Sequence, residues 1–350
     1  MCEQIDIAED EIFKISPRLL QILLKDHSTS RHFGCDRNIF WATRDYEGLG
    51  DGYSFHDQIT SEKITGKHGL IIRPRARKSL SEQRRRVTDK AEVFTPAWIC
   101  NKQNNLVDNA WFGRENVFNT EIDENNKHIW QATPSHVYFP DTKGKTWRDY
   151  VHAPRLEMAC GEAPYLVSRY DATTCSSLIS VPQRIGLLDR KLRIVGENTT
   201  TPAEWLIEAF NALHNTYGFE WQGDNLLLAR EALLYTFKEH YEHKFCDTLK
   251  PKILENAAYI ISWNVWQMDG VKCVVPDSCN WSKNLFGKKG ECDACKKGST
   301  KGHIGIPCFV VEWKNVTAKA PTRTGSKRYI YRYPAIKNPY KSTTAKNSMP

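Results

Sequence analysis

Residues 156–165 read Leu-Glu-Met-Ala-Cys-Gly-Glu-Ala-Pro-Tyr, and residues 217–224 read Tyr-Gly-Phe-Glu-Trp-Gln-Gly-Asp. The first stretch ends a short apolar run in a turn of small residues centred on Gly161. The second is a short strand that ends on a carboxylate, Glu220, and runs directly into an apolar, helix-patterned segment. A tight turn after one strand and an acid after the next is how an α/β sheet holds an adenosine. Glycine lets the backbone approach the ligand, and the carboxylate accepts hydrogen bonds from ribose hydroxyls. The first strand carries no G-x-G-x-x-G, which argues against NAD.

Working outward, residues 156–159 and 218–221 are expected strands and residues 259–267 a third, apolar and aromatic one. Helical spacing is read over residues 9–25, 97–110, 185–195, 202–216 and 224–240. Thr201 before Pro202 predicts an N-cap with proline in the first turn, and Asp224 is expected to cap its helix. Gly161 and Glu220 are 59 residues apart, so a helical insertion must separate the strands. Residues 32–72 look like loops with short strands, and residues 119–152 are polar and turn-rich, an excursion before the first core strand.

The paired segments resemble the cofactor motifs of S-adenosylmethionine-dependent DNA methyltransferases of the adenine-N6 class, the group often labelled restriction endonuclease subunit M. Phe94-Thr95-Pro96 resembles the segment that closes over the methionine end of the cofactor. Trp266-Gln267-Met268-Asp269 resembles the acidic motif that meets the adenine ring. The resemblance covers roughly residues 85–275. It implies a Rossmann-like α/β methyltransferase sheet with helical insertions. It also implies cofactor contacts from Phe94, Thr95, Pro96, Glu157, Cys160, Gly161, Glu220 and Asp269.

Transfer to adenine N6 requires the methyl group in line with the amine, acceptors for the amine protons, and a base pulled out of the duplex. The family supplies these with an Asn-Pro-Pro-aromatic loop. Here the nearest match is Asn338-Pro339-Tyr340, which lacks one proline and lies close to residue 350. The resemblance therefore implies an adenine-specific methyltransferase or modification subunit. The alternative is a non-catalytic DNA-binding subunit that needs a companion chain for this loop.

Charge supports a nucleic-acid partner. Residues 281–350 hold 15 Lys/Arg against three acids, while the first 280 residues are net negative. A second cluster comprises Arg73, Arg75, Arg77, Lys78, Arg84, Arg85, Arg86 and Lys90. Clusters of this kind contact phosphate backbones. No stretch approaches the ~20 apolar residues of a membrane span. The first residues lack a signal-peptide pattern, so a cytoplasmic location without a membrane partner is expected. The 11 cysteines then read as thiols or metal ligands. Cys279, Cys292, Cys295 and Cys308, with Cys292 and Cys295 in C-x-x-C spacing, are expected to form a structural zinc site; His303 could replace one of them. The chain is thus expected to divide into a basic helical region (1–90), a cofactor-binding core (91–272), a Cys-rich module (273–315) and a basic, poorly ordered tail (316–350).

Overall fold

A computed structural model of the chain describes residues 7–124, 127–174, 177–281, 292–313 and 329–332. Three short helices open it: α1 (Glu9–Ile15), α2 (Pro17–Leu24) and α3 (His27–Phe33). Pro17 cannot continue α1, so the helical pattern expected over 9–25 breaks into two. There follow α4 (Ser61–Ile64), α5 (Leu80–Lys90) and α6 (Ala97–Phe112). An antiparallel hairpin, β1 (Asn119–Glu124) and β2 (Lys127–Ala132), and α7 (Trp147–Val151) occupy the polar stretch expected to be turn-rich.

The centre is a parallel sheet in the order β3-β4-β5: β3 (Arg155–Met158), β4 (Thr216–Glu220) and β5 (Val265–Gln267). Helices α8 (Leu187–Asn198) and α9 (Pro202–His214) fill the long crossover from β3 to β4. Thr201 caps α9 with Pro202 in its first turn, as the sequence predicts, and Glu204 completes a reciprocal capping box with it. The next crossover holds α10 (Gly223–Phe245) and α11 (Pro251–Asn264). Most of the run 259–267 is therefore helix, and only its last three residues are strand. After β5 come α12 (Asp293–Lys296) and the antiparallel pair β6 (Phe309–Glu312) and β7 (Tyr329–Arg332). The described chain is thus mixed α/β with a small parallel sheet.

Helix α10 is the core element. Leu226, Leu227, Leu233, Leu234 and Phe237 are fully buried and pack with α8, α11 and the sheet. Each buried side chain contributes about 1.5–3 kcal/mol. Gly223, at its start, is required by contact: a Cβ there would lie 2.1 Å from the Phe40 carbonyl oxygen. On the opposite face of the sheet, Phe219 and Trp266 pack with Val275, Ile306, Cys308 and Val310. The Cys-rich segment and β6 therefore cover one face while the helices cover the other. This leaves the carboxyl ends of β3, β4 and β5 on a common edge, where ligands of parallel sheets bind.

Candidate functional site

At that edge the two diagnostic segments meet. Beyond β3 the chain turns sharply, with Ala159 at φ 49° and Gly161 at φ 54°. Cys160 N–H still donates to the Phe219 carbonyl (2.9 Å), and Gly161 N–H donates to Glu220 Oε2 (2.9 Å). Gln222 N–H reaches the other oxygen of Glu220 at 3.2 Å. Burial raises the Glu220 carboxyl to about 7 against these two bonds, helped by the negative charges of Asp224 and Glu92. The Phe94 ring lies over Gly161, where an added Cβ would sit 3.1 Å from ring carbons. The Arg75 guanidinium stacks on that ring 5.4 Å from its centre.

The other expected cofactor residues take supporting positions. Pro96 is the N-cap residue of α6, and Ala97 N–H donates to Asp171 (2.9 Å). The Thr95 carbonyl accepts the Cys100 thiol. Glu157 turns inward and accepts Leu166 N–H at 3.1 Å and Tyr165 N–H at 3.4 Å, so it braces the turn; burial pushes it to about 8. Cys160 is buried, and its thiol is pushed well up by that burial. Asp269 follows β5 and accepts Val271 and Lys272 N–H, both at 3.0 Å, with Lys272 Nζ at 3.6 Å. Phe94, Gly161 and Glu220 are thus brought into one place, and Asp269 ends the neighbouring strand.

The basic cluster of residues 73–90 is split by the fold. Arg86 is the only buried residue of α5. Its guanidinium donates to Asp224 (2.8 Å from Nη1) and Gln222 (3.0 Å) and pairs with Glu92 (3.1 Å) and Asp45 (3.2 Å). Lys78 and the Tyr46 hydroxyl also reach Asp224, and Lys90 pairs with Asp45. Burial alone would raise the Asp224 carboxyl, but Arg86, Lys78 and Lys90 outweigh it and hold it well below the usual range. Asp224 is therefore not the expected helix cap. Gln222 occupies the N-cap position, and Asp224 lies inside the first turn as the anion of this socket. Arg77, Arg84 and Arg85 stay on the surface.

The metal-type cluster consists of Cys279, Cys292, Cys295 and His303, whose ligand atoms all lie within 4.8 Å of one another. The three sulfurs stand 3.7, 3.6 and 3.4 Å from His303 Nδ1. Sulfurs about 2.3 Å and a nitrogen about 2.0 Å from a tetrahedral ion fall at such separations. His303 Nε2 faces the Ser299 carbonyl at 2.8 Å. Donation to that carbonyl leaves Nδ1 with the lone pair a metal needs. Against burial, backbone hydrogen bonds from Ile304 and Cys295 and the His303 contact lower the Cys292 thiol to about 6. The cluster can hold a metal ion. Cys308 is not part of it, contrary to the four-cysteine expectation. That residue lies under the sheet with its thiol toward the Gln267 carbonyl (3.5 Å), because the strand β6 that follows carries it into the apolar layer. The half-buried Cys273 is directed to the Gly270 carbonyl. His303, held in the turn after α12, takes the fourth place; its signal in the sequence is a histidine beside Gly302, eight residues past Cys295.

Asn338, Pro339 and Tyr340, and the tail beyond Arg332, lie outside the described residues. Among the described residues no helix is long and apolar enough to cross a membrane. No protein-family model, curated protein or solved structure matches the chain.

Proposed function

We propose that the chain binds S-adenosylmethionine at the carboxyl end of β3, β4 and β5, as a Rossmann-like methyltransferase, and serves adenine-N6 methylation of DNA. The observation that carries this reading is the meeting of Gly161 with Glu220 beneath Phe94. A ribose diol would take over the carboxylate oxygens now bonded to Gly161 and Gln222. Phe94 and Thr95 would close over the methionine end, and Asp269 would stand near the adenine. Glu157 and Cys160 would shape the turn from beneath. Calorimetric titration of S-adenosylmethionine tests the assignment. Glu220→Ala should cost roughly 2–3 kcal/mol of binding, because ribose hydroxyls lose their acceptor in a buried site. Absence of binding by the native chain at millimolar cofactor would refute it.

A second reading is favoured by the single proline of Asn338-Pro339-Tyr340. In it the chain is the cofactor- and DNA-binding part of a modification system, and a companion subunit supplies the loop that accepts the N6 protons. Transfer of a tritiated methyl group to DNA separates the two readings. Activity of the lone chain that is abolished by Asn338→Ala, with cofactor affinity intact, supports the first. Activity only with the companion supports the second.

The metal of the Cys279, Cys292, Cys295 and His303 cluster is, in this proposal, a structural zinc ion. Three thiolates and an imidazole are the donor set zinc takes in closed tetrahedral sites. Elemental analysis of the purified chain should give one zinc per molecule.

A further inference from the structure

We infer that duplex DNA lies across the carboxyl end of the sheet, its phosphates held at two separate rims: the outer face of α5 and the lysines around the metal-type cluster. This rests on the DNA-modification reading and assigns its contact surface. Both rims stand at the same end of the molecule. Helix α5 is fixed there by Arg86 on Asp224, just past β4, and by Phe94 over Gly161, just past β3. The cluster is fixed there because Val274 pairs with Asp269, just past β5, and packs against Cys279 and Cys292. Between them runs the loop of residues 40–57. It meets α5 where Arg85 pairs with Asp45 (3.1 Å) and meets the Cys-rich segment where His56 approaches Asp277 (3.3 Å).

The exposed charge on the two rims is net positive, although Asp89 on α5 and Asp293 beside Lys296 are exposed acids within it. Glu92, Glu220 and Asp224 are buried, while Arg77, Arg84 and Arg85 on one rim and Lys296, Lys297 and Lys301 on the other are exposed. An excess of exposed cations on both sides of a small-molecule mouth suits a polyanion that spans it. Apolar burial does not explain α5's exposed cations, since Arg86 is the only residue of the helix that is buried. A regular phosphate backbone engages separated cations at once, and each engaged phosphate releases a counterion.

The experiment is fluorescence anisotropy of the full chain with a labelled duplex of about 30 base pairs, across a series of salt concentrations. Two variants are compared with the native chain: Lys296→Gln/Lys297→Gln/Lys301→Gln and Arg77→Gln/Arg84→Gln/Arg85→Gln. Each should weaken binding at physiological salt by tenfold or more. Each should also flatten the log–log salt slope by about 0.9 for every phosphate that is no longer neutralised. Retained metal stoichiometry and thermal midpoint show that the variants are folded. No duplex binding by the native chain at low salt, unchanged affinity and slope in either variant, or tighter binding of single-stranded RNA would overturn the inference. S-adenosylmethionine titrated separately into the same samples reports on the cofactor reading. DNA binding without cofactor binding refutes only the latter, and the reverse refutes only the surface assigned here.

Discussion

Gly161 N–H donates to the Glu220 carboxylate at 2.9 Å, joining residues 59 positions apart at the tips of adjacent parallel strands. Two features make Gly161 costly to replace there: its φ of +54° and the Phe94 ring 3.1 Å from any added Cβ. Gly161→Ala should therefore destabilise the fold by about 1–3 kcal/mol in urea denaturation. Adding Phe94→Ala should recover the steric part of that cost only. Full recovery would mean that backbone strain contributes nothing.

Arg86 should be the least replaceable residue of α5. Arg86→Met takes the nearest counter-charge from buried Asp224 and Glu92 and leaves Asp224 only Lys78 at 3.4 Å, at a cost of about 3–5 kcal/mol. Arg84→Gln, on the exposed side of the same helix, should stay within ~0.5 kcal/mol of the native chain. Chemical denaturation of the two variants side by side measures the contrast; equal stabilities would contradict the socket.

For the metal-type cluster, Cys308→Ser should retain one bound metal per chain, because that thiol faces the Gln267 carbonyl. His303→Ala should weaken metal binding by more than the ~10–100-fold expected from losing an outer hydrogen-bond partner. Competition with a chromophoric chelator gives both affinities. Loss of metal on changing Cys308 would restore the four-cysteine arrangement.

Stability should also fall as pH rises through neutrality. Burial raises Glu157 from 4.5 to about 8, and Glu220 and Glu162 to about 7. A folded-state value above the unfolded one means that the folded chain holds the extra proton. The stabilisation is complete below about pH 4.5 and is lost as pH passes 7 to 8. Glu157→Gln cannot ionise, so its thermal midpoint relative to the native chain should climb between about pH 5 and pH 9. A constant difference across that range would show that Glu157 is already ionised in the folded state.

The turn at Gly161, the end of β4 and the N-cap of α9 are legible in the sequence, because each rests on local chemistry: left-handed glycine, a strand ending in an acid, a Thr-Pro start. The run 259–267 reads as strand yet folds mostly as helix, because it is apolar on every side. A fully buried helix has no periodicity to separate it from a buried strand. Hairpin β1–β2 is hidden by its polar residues, among which Ile122 and Ile129 are the paired aliphatic positions. The inward turn of Arg86 is invisible for a different reason. Its partners Asp45 and Asp224 lie 41 and 138 residues away, and nothing in a run of three arginines marks the last as the plug of a socket. The fourth position of the metal-type cluster is similar, since spacing admits both Cys308 and His303.

Helix α5 is attached by ion pairs, Arg86 on Asp224 with Arg85 and Lys90 on Asp45, and Leu80 is 72% exposed on its outer side. An element secured by a few ion pairs is free to drift in sequence at most other positions. Its surface could be rewritten for a new partner without disturbing the core, provided that those pairs stay.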